Sequence, residues 1–554
     1  MTVLGNKVNP HSPTYLENQQ AMLALIEDLE SELELSRAGG GEKYVQRHKE
    51  RGKLLARERI ELLLDPDSPF LELCPLAAWG TSFNVGASLI FGLGVVEDTI
   101  CVISANDPTV KGGASNPYTM KKAHRAADIA RENRLPLINL VESGGADLPN
   151  QAEIFIPGGR MFRDLTQLSA EGIPTISLVF GNSTAGGAYV PGMSDYIVMV
   201  KERAKVFLGG PPLVKMATGE ESDDEELGGA EMHARVSGLC DFMAENELDC
   251  IGIGRQIVKR LNVTRPGGWR TITDKGARGY GNLAVLGHGS LQRRSFGEPK
   301  YSQHELLGIP SSDAKIPYDP RDVLARILDS SDFDEFKPLY GTSLVTGWGS
   351  IYGFPIGILA NHRGVLFSQE AQKATQFIQL ANQSDTPLVF LQNTTGYMVG
   401  KDYEQGGIIK DGAKMINAVS NSRVPHLTIN IGASYGAGNY GMCGKAFNPR
   451  FLFAWPNARS SVMGSAQLAG VLSIVARQAA EAQGREFDEA ADQEMRSFVE
   501  AQIESESIAK FISGRLYDDG IIDPRDTRTV LGMCLEVVYQ NGVAGTRGYG
   551  IYRM

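Results

Sequence analysis

Several features are scarce in this chain of 554 residues, and each absence excludes a class of protein. The six cysteines form no Cys-x-x-Cys pair, so neither a zinc ribbon nor a disulfide framework is expected. No uninterrupted apolar stretch approaches the roughly 20 residues that a membrane-spanning helix needs. The first ten residues lack the basic segment and apolar core of a secretory signal. Together these absences predict a cytoplasmic protein with reduced thiols.

Positive charge is also in short supply. The 54 lysines and arginines are outnumbered by 65 acidic residues, which gives a net charge of −11. This balance disfavours a nucleic acid or an anionic membrane surface as the main partner. The 42% share of hydrophobic residues and the 63 glycines favour a globular α/β protein with many tight turns. The length predicts two domains of about 200–250 residues each.

Metal-binding patterns are absent as well. The acidic run at residues 220–226 lacks the alternating ligands and the central glycine of a calcium loop, so we interpret it as a solvated surface. His233 has no cysteine or suitably spaced histidine beside it, which favours a hydrogen-bonding role over metal ligation. Cys443 is interpreted as a small packing residue. We therefore predict that this chain binds no metal.

The most informative feature that is present is an internal duplication. Gly94 and Gly349 lie in similar strands and are 255 positions apart, while Gly187 and Gly438 lie in similar turns 251 positions apart. The spacing of 251 recurs in Gly145 and Gly396, Pro174 and Pro425, Gly181 and Gly432, and Tyr189 and Tyr440. A spacing that stays constant over such a stretch indicates that the two halves share one fold.

Each half is predicted to run as helix, strand pair, helix, strand, glycine turn, strand, glycine turn and helix. The helices after the strand pairs are predicted at Thr119 to Asn133 and Ser368 to Gln383. Strands that alternate with helices indicate right-handed crossovers in an α/β fold. We predict domains at 1–270 and 271–554, with 265–320 as the connecting segment. An outer amphipathic helix is predicted from Tyr15 to Leu35.

Each half has two glycine-rich turns, and each turn directly follows an apolar strand. Small residues let the backbone approach a ligand closely, and glycine can turn consecutive N–H groups outward. A helix that starts at the second turn would add further free N–H groups. Two such turns side by side can form an oxyanion hole, which would stabilise the enolate of a thioester. The four turns are 143–146, 184–189, 394–397 and 434–440.

A single glycine turn after a strand is most often only a turn former. Four turns that match pairwise through a duplication, in a chain with no obvious nucleophile, favour a functional role. Two halves then predict two oxyanion holes, and so two carbonyl compounds that both pass through an enolate-like state.

Several motifs are similar to those of the carboxyltransferase subunits of biotin-dependent acyl-CoA carboxylases. They cover residues 184–189, 207–220, 227–238, 434–444 and 455–459. The resemblance implies two tandem crotonase-like domains and an active site at a dimer interface. It further implies that the first domain of one subunit holds the coenzyme A thioester and that the second domain of another subunit holds biotin.

The resemblance assigns roles to the backbone of the four turns. In the first half it implies that Gly186 and Gly187, with Gly145 and Ala146, hold the thioester oxygen. In the second half it implies that Ala437 and Gly438, with Thr395 and Gly396, hold the ureido oxygen of biotin. The family mechanism uses CO2 released from carboxybiotin and needs no side-chain base. Further substrate contacts are predicted from Ser143, Gly144, Tyr189, Tyr397 and Tyr440.

Two segments indicate a subgroup of this family. The turn from Ser434 to Gly444 and the ending Gly550 to Met554 are similar to 3-methylcrotonyl-CoA carboxylase β subunits and their geranyl-CoA relatives. This implies a carboxyltransferase that acts on 3-methylcrotonyl-CoA in leucine degradation, with Tyr440 shaping the acyl pocket. Geranyl-CoA, propionyl-CoA, acetyl-CoA and longer acyl-CoA substrates remain open, as does the reverse reaction in a decarboxylase complex.

The chemistry that this chain lacks is expected on a partner. Lys215 and Met216 lack the surroundings of a biotinylated lysine, and no Walker-type loop is present. We therefore expect biotin and the ATP-dependent step on a biotin carboxylase and carrier (α) subunit. The resemblance suggests a hexamer of β subunits, built of trimers stacked face to face.

Two other classes of function are considered. A crotonase-type hydratase or hydrolase would use one oxyanion hole and a carboxylate, for which Glu142 is the nearest candidate. A scaffold with a degenerate second half would have blocked turns, which Ala437 and Gly438 argue against. The basic cluster of residues 53–59 is ambiguous, because it could attract coenzyme A phosphates or pair with neighbouring glutamates on a solvated helix.

Overall fold

The computed structural model describes residues 2–261, 296–311, 313 and 316–554. These residues form two compact units. The first unit contains residues 30–261 and 514–516, and the second contains residues 2–29, 296–513 and 517–554. Most of the predicted connecting segment, including the predicted boundary at 270/271, lies outside the described residues.

The chain begins with a short strand and a long helix. Strand β1 is Thr2–Val3, and helix α1 is Pro13–Arg37, slightly longer than predicted. Proline fits the first turn of a helix because its missing N–H has no partner to lose there. Tyr15, Met22 and Leu29 are buried and lie seven residues apart, so they form one apolar stripe along α1.

The first unit is built on an eight-stranded sheet. Strands β2 to β4 are antiparallel, and β5, β6, β7 and β9 continue the sheet in parallel, while β8 also pairs with β6. The strands are β2 Phe70–Leu73, β3 Leu89–Val96, β4 Thr99–Asn106, β5 Leu137–Ser143, β6 Thr175–Thr184, β7 Tyr196–Val200, β8 Lys205–Phe207 and β9 Phe242–Ala244. The helices are α2 Glu42–Glu50, α3 Ala56–Leu63, α4 Pro117–Asn133, α5 Gln151–Ala170, α6 Tyr189–Gly192, α7 Pro211–Thr218, α8 Asp224–Gly228, α9 Ala230–Met232 and α10 Glu247–Arg260.

The second unit repeats this design. Its sheet runs β1-β10-β11-β12-β14-β16-β17, with β18 beside β16, and β13 and β15 form a separate pair. The strands are β10 Asp332–Glu335, β11 Leu344–Ile351, β12 Phe354–Asn361, β13 Val365–Leu366, β14 Leu388–Thr394, β15 Gly396–Tyr397, β16 His426–Tyr435, β17 Phe451–Ala454 and β18 Arg459–Ser461. The helices are α11 Pro320–Ile327, α12 Ser368–Gln383, α13 Lys401–Gln405, α14 Ile408–Asn421, α15 Gly436–Gly441, α16 Ser465–Ala482, α17 Glu489–Ser507, α18 Ala509–Gly514 and α19 Thr527–Tyr539.

The duplication is visible in strand register. Ser143 pairs with Ser183 where β5 meets β6, and Thr394 pairs with Ser434 where β14 meets β16. Both pairs follow a register shift. The α/β fold with a repeated crossover is therefore present as predicted, and helices α4 and α12 fall within two residues of their predicted bounds.

One helix of each half was not predicted. Helices α5 and α14 lie between the two glycine turns of their halves, where the sequence pattern predicts only a strand. In α5 the reason is local, because Pro157, Gly158 and Gly159 stand inside the helix and read as helix breakers. Tertiary packing overrides that local preference.

The two faces of β5 have different neighbours. Ile138 and Leu140 point into a core cluster with residues of α3, β6 and α10. Because side chains alternate along a strand, Leu137, Val141 and Ser143 point to the opposite face. That face lines the cavity described next.

Candidate active site

The two glycine turns of the first unit lie against each other. They follow the adjacent carboxyl ends of β5 and β6, which is where open α/β sheets bind ligands. Gly145 has a φ of +93°, and a Cβ atom at this position would lie 3.1 Å from the carbonyl oxygen of Thr184. The structure thus brings Gly144, Gly145 and Ala146 next to Ala185 and Gly186.

Free backbone donors are available at this contact. The bridge between Ser115 and Ala146 uses the carbonyl of Gly145 and the N–H of Asp147, so the N–H of Ala146 is left over. A 3-10 turn begins at Ala185, and its first N–H groups, including that of Gly186, have no partner within the turn.

The backbone N–H groups of Gly145 and Gly187 are less available to a ligand than those of Ala146 and Gly186. The N–H of Gly145 donates to Ser143 Oγ at 3.2 Å. Gly187 is the third residue of the 3-10 turn, where hydrogen bonding within the turn begins. Among the predicted residues of the first unit, Ala146 and Gly186 therefore have the N–H groups that remain available to a ligand.

The turns border a cavity of about 810 Å³. Ser143 to Ala146 and Ser183 to Gly187 form part of its wall, and helices α4 and α5 cover it. Most of the remaining lining is apolar and includes Leu89, Met120, Ala123, Ala126, Ala127, Leu137, Val141, Ile154, Phe155, Met161, Phe162 and Leu165. This volume suits a small organic ligand, since such pockets typically measure about 300–1,000 Å³.

The second unit holds the matching pair of turns. Gly396 has a φ of +116°, which favours glycine. A Cβ atom on Gly438 would lie 2.8 Å from Thr394 Oγ1 and 2.9 Å from the Cα of Gly396. The two turns therefore meet closely, and glycine at 438 keeps open a space that any side chain would fill.

The donors of this second pair come mainly from α15. Gly436, Ala437 and Gly438 are its first three residues, so their N–H groups have no partner within the helix. Thr395 differs from the prediction in its bonding, because its N–H donates to the carbonyl of Gly364 at 2.6 Å. The N–H of Gly396 donates to Thr394 Oγ1 at 3.2 Å, as Gly145 does to Ser143.

The three predicted tyrosines have different surroundings. Tyr189 is 42% exposed and contacts Phe162 edge to face, with ring centres 5.4 Å apart. Tyr440 is 47% exposed beside Phe447. Tyr397 points into the core, where its hydroxyl lies 3.4 Å from the sulfur of Met415 and burial raises its pKa. The Tyr397 phenol is thus engaged in packing rather than free for a ligand.

A buried network of ion pairs adjoins the first glycine turn, residues 143–146. Glu142 precedes this turn, with Lys53 Nζ at 2.5 Å and Arg59 Nη2 at 2.8 Å from its carboxylate. Arg59 is buried and also bonds to Glu247, with Nε 2.8 Å from Oε2. In the basic cluster, Lys53 and Arg59 therefore form ion pairs with buried glutamates of the protein, and Arg57 forms an ion pair with Glu72. None of these ion pairs is with a glutamate of the same helix.

Glu142 does not have the properties that a hydratase requires of a base. Burial alone would raise its pKa, but the charges of Arg59 and Lys53 outweigh burial and hold the pKa below the ordinary value. A carboxylate with a depressed pKa and two cationic partners is a weak proton acceptor. The arrangement disfavours the hydratase alternative.

Glu142→Gln is expected to lower the free energy of unfolding by about 3 kcal/mol, because it leaves the buried charge of Lys53 without a counterion. The exposed pair of Lys215 and Glu221 offers a matched control. Glu221→Gln should change stability by less than about 1 kcal/mol. Urea unfolding of both variants measures the difference.

The effect of Glu142→Gln should also depend on pH. Because the pKa of Glu142 is depressed in the folded state, its contribution is present above the ordinary value of 4.5 and is lost as pH falls through the folded pKa. Unfolding curves at neutral and at acidic pH would test this. A difference between wild type and variant that grew on acidification would contradict the assigned network.

The remaining candidates from the sequence have structural roles. His233 Nδ1 lies 2.6 Å from Ser237 Oγ, and its Nε2 lies 2.7 Å from the carbonyl oxygen of Val206. Cys443 is buried with its sulfur 3.3 Å from His426 Nδ1. Asp223, in the acidic run, caps α8 through its carboxylate. No group of three or more His, Cys, Asp or Glu side chains suited to a metal occurs in the described part of the chain.

Comparison with known proteins identifies the class to which this fold and these turns belong. The family description "Carboxyl transferase domain" matches residues 47–547. The chain therefore belongs to the carboxyl transferase family, and it is a carboxyltransferase of the biotin-dependent acyl-CoA carboxylases. The predictions of the family, of the crotonase-like fold and of the enzyme class are confirmed.

Individual relatives resemble the chain over its full length. A probable biotin-dependent acyl-coenzyme A carboxylase beta2 subunit of Mycobacterium tuberculosis is 64% identical, covering 100% of both chains. A probable mitochondrial methylcrotonoyl-CoA carboxylase beta chain of Drosophila melanogaster is 46% identical, covering 100% of this chain and 95% of its own. The solved β subunit of P. aeruginosa geranyl-CoA carboxylase is 41% identical, with a TM-score of 0.87 and 100% coverage of both chains.

None of the helices in the described ranges is both long and apolar enough to span a membrane.

Proposed function

We propose that this chain transfers CO2 from carboxybiotin to 3-methylcrotonyl-CoA. The observation that carries the proposal is the meeting of the first pair of glycine turns at an apolar cavity of about 810 Å³. A thioester carbonyl at the turns would place its acyl group in that cavity. The similarity to a methylcrotonoyl-CoA carboxylase beta chain supports this choice of substrate.

In the first unit, the backbone would act on the thioester oxygen. The N–H groups of Ala146 and Gly186 would donate hydrogen bonds to that oxygen as negative charge develops on it. Gly145 and Gly187 would keep the space beside the oxygen free of side chains. Phe162, whose Cζ lies 3.6 Å from the Cβ position of Gly186, would help to exclude water.

In the second unit, the residues present fit the ureido group of biotin. The N–H groups of Ala437 and Gly438, which have no partner within α15, would donate to one oxygen acceptor, and the close contact of Gly438 with Gly396 leaves room for backbone only. Carboxybiotin would supply CO2 when bound there. The second pair of turns would stabilise negative charge on the ureido oxygen, and Thr395 would act through the position of its turn rather than through its N–H.

The assembly and the compartment are part of the same proposal. We expect biotin on a separate carrier subunit, a hexamer of this chain, and sites that combine the first domain of one copy with the second domain of another. The six cysteines are all buried and none of them forms a disulfide in the described residues, which supports a reducing compartment such as the cytoplasm.

The test is a substrate comparison with the complex purified from its own host. We expect a biotinylated protein to co-purify and kcat/KM for 3-methylcrotonyl-CoA to exceed that for propionyl-CoA and acetyl-CoA by at least about tenfold, because one methylene in an apolar pocket contributes 10–200-fold. A preference for propionyl-CoA would reject the assigned substrate. Carboxylation that proceeded without any biotinylated protein would reject the assigned donor.

A further inference from the structure

The second unit contains a counterpart of the cavity of the first unit, but side chains fill it. The spacing of 251 pairs helix α4 with α12 and strand β5 with β14, so the cavity residues on α4 and β5 have counterparts. Large apolar residues, all fully buried, replace small or polar ones in the pairs Ala126 and Phe377, Ala127 and Ile378, and Asn139 and Phe390. The two halves therefore share a fold but differ in whether this volume is open.

Tyr397 stands at the turn of the second unit, where the first unit has Ala146. Ala146 lines the cavity, whereas the ring of Tyr397 lies against helices α14 and α15. A Cβ atom on Gly412 would lie 3.3 Å from Cε1 of this ring, and a Cβ atom on Gly441 would overlap its hydroxyl oxygen. The ring therefore occupies space that these two glycines leave open.

The exchange at the turn is compensated by residues on other elements. Met161 and Val190 line the cavity of the first unit, and Gly412 and Gly441 stand 251 positions later. The first unit thus has a small residue at the turn and larger residues in the wall, while the second unit has the reverse. Because interiors are close-packed, a tyrosine ring can enter only where its neighbours become smaller. The filled volume of the second unit is therefore encoded by several positions together.

The Tyr397 ring fills the volume behind the turns and leaves their backbone in place. Its hydroxyl lies 3.4 Å from the sulfur of Met415, and the ring packs against a buried cluster that includes Phe390. The three atoms nearest to the Cβ position of Gly438 belong to the turn at 394–396 and not to this ring. The second pair of turns thus keeps its N–H donors, while the ring takes the space that an acyl chain would need.

We propose that Tyr397 determines which ligand the second pair of turns accepts, because it excludes acyl chains from this site. The inference rests on the proposed function, which assigns the second pair of turns to the donor. Both pairs of turns offer N–H groups to an oxygen, so these groups alone do not distinguish a thioester from a ureido group. A steric clash with the wrong ligand supplies the distinction. Acyl thioesters then bind in the first unit alone, and the second site stays free for the donor.

Tyr397→Ala tests the exclusion directly. Loss of the ring leaves an apolar space beside the turns, and engineered apolar spaces bind small apolar groups. Calorimetry of the full chain with 3-methylcrotonyl-CoA should give one binding site per chain for the wild type and for Tyr397→Phe, which keeps the ring. Tyr397→Ala should give two sites per chain. A single site in folded Tyr397→Ala, or two sites in the wild type, would overturn the inference.

Tyr539→Ala is the matched control for the loss of a tyrosine ring in the second unit. Tyr539 stacks on Phe354 with ring centres 5.1 Å apart. Phe354 begins β12, which runs parallel to β14, so this pair lies at the end of the sheet away from the turns. The variant should bind one acyl-CoA per chain. A second site in this control would show that the site does not depend on Tyr397, and would overturn the assignment.

Turnover of the complex with its biotinylated partner gives a second readout. The wild-type rate should level off as 3-methylcrotonyl-CoA rises. The rate of Tyr397→Ala should fall about tenfold when the substrate reaches about ten times the Kd of the second site, because acyl-CoA then occupies the place of the donor. A rate that levelled off as in the wild type would contradict the inference and leave the proposed function standing. A wild-type complex that transferred no carboxyl group would overturn the proposed function itself.

The reciprocal variant, Ala146→Tyr, keeps the test valid if Tyr397→Ala does not fold. The cavity of about 810 Å³ has room for the added ring, and the N–H of residue 146 is retained. We expect the Kd for 3-methylcrotonyl-CoA to rise at least about tenfold, because the ring takes the acyl space. The Kd for coenzyme A, which has no acyl group, should change less than about twofold and shows that the variant is folded. An unchanged Kd for the thioester would overturn the inference, because the residue at this turn position would then not control the acyl space.

Discussion

Gly438→Ala is expected to lower the rate of carboxyl transfer by at least about a hundredfold, the usual effect of losing one oxyanion donor. The added methyl group would lie 2.8 Å from Thr394 Oγ1 and 2.9 Å from the Cα of Gly396. Thr394 Oγ1 is held by a hydrogen bond to the carbonyl of Gly364 at 2.9 Å, and the Cα of Gly396 is a backbone atom, so the two turns must move apart. The N–H groups of Ala437 and Gly438 would then no longer point at one oxygen. The measurement is kcat for carboxylation of 3-methylcrotonyl-CoA.

Two further measurements separate this effect from a general loss of structure. Gly470→Ala in α16 is the matched control, because a Cβ atom there meets no atom of the described residues within 4 Å. Calorimetry should show that Gly438→Ala still binds acyl-CoA normally, since every described residue that lines the cavity of the first unit belongs to that unit. Turnover near the wild-type rate in Gly438→Ala would show that this pair of turns does not hold the reacting oxygen.

The sequence predicted those parts of the molecule that depend on local pattern. The constant spacing of 251 between Gly187 and Gly438 identified the duplication, and the structure repeats it in strand register at Ser143 and Thr394. Glycine after an apolar strand is a local signal, so all four turns could be located. That the turns meet in pairs followed from the parallel crossover, which places adjacent strand ends side by side.

The parts that were missed depend on contacts between distant residues. Arg59 and Glu247 are 188 positions apart, so no spacing rule could pair them, and only neighbouring glutamates were considered. The N–H of Thr395 is occupied by Gly364 through the pairing of β13 and β15, two-residue strands too short to predict. The cavity forms because α5 covers the sheet. The sequence does not predict this helix, because Pro157 lies inside it. The sequence does contain a partial indication of the cavity, because the alanines of α4 are spaced so that they lie on one face of the helix.

Gly187→Val is expected to lower kcat/KM for carboxyl transfer by at least about a hundredfold, whereas Gly187→Ala should lower it by less than about tenfold. The Cβ position at Gly187 has its nearest neighbours at 3.8 Å, Ser183 Oγ, and 3.9 Å, Ser143 Oγ, so a methyl group fits. The two γ-carbons of valine reach beyond that free space, toward the place assigned to the thioester oxygen. We expect a loss of at least about a hundredfold in kcat/KM for Gly187→Val, because the oxygen is displaced from the N–H of Gly186.

The contrast between the two glycines tests the steric argument more strictly than either variant alone. Alanine should be tolerated at 187 but not at 438. The nearest atom lies 3.8 Å from the Cβ position of Gly187 but only 2.8 Å from that of Gly438. Gly252→Val in α10, where a Cβ atom has no neighbour within 4 Å in the described part of the chain, controls for a β-branched residue in the same unit. Size-exclusion chromatography should show unchanged assembly for all variants. If Gly187→Val turned over normally, the thioester oxygen would have to lie elsewhere; if alanine were equally harmful at both positions, the cause would not be the crowding at Gly438 but a shared need for glycine backbone freedom.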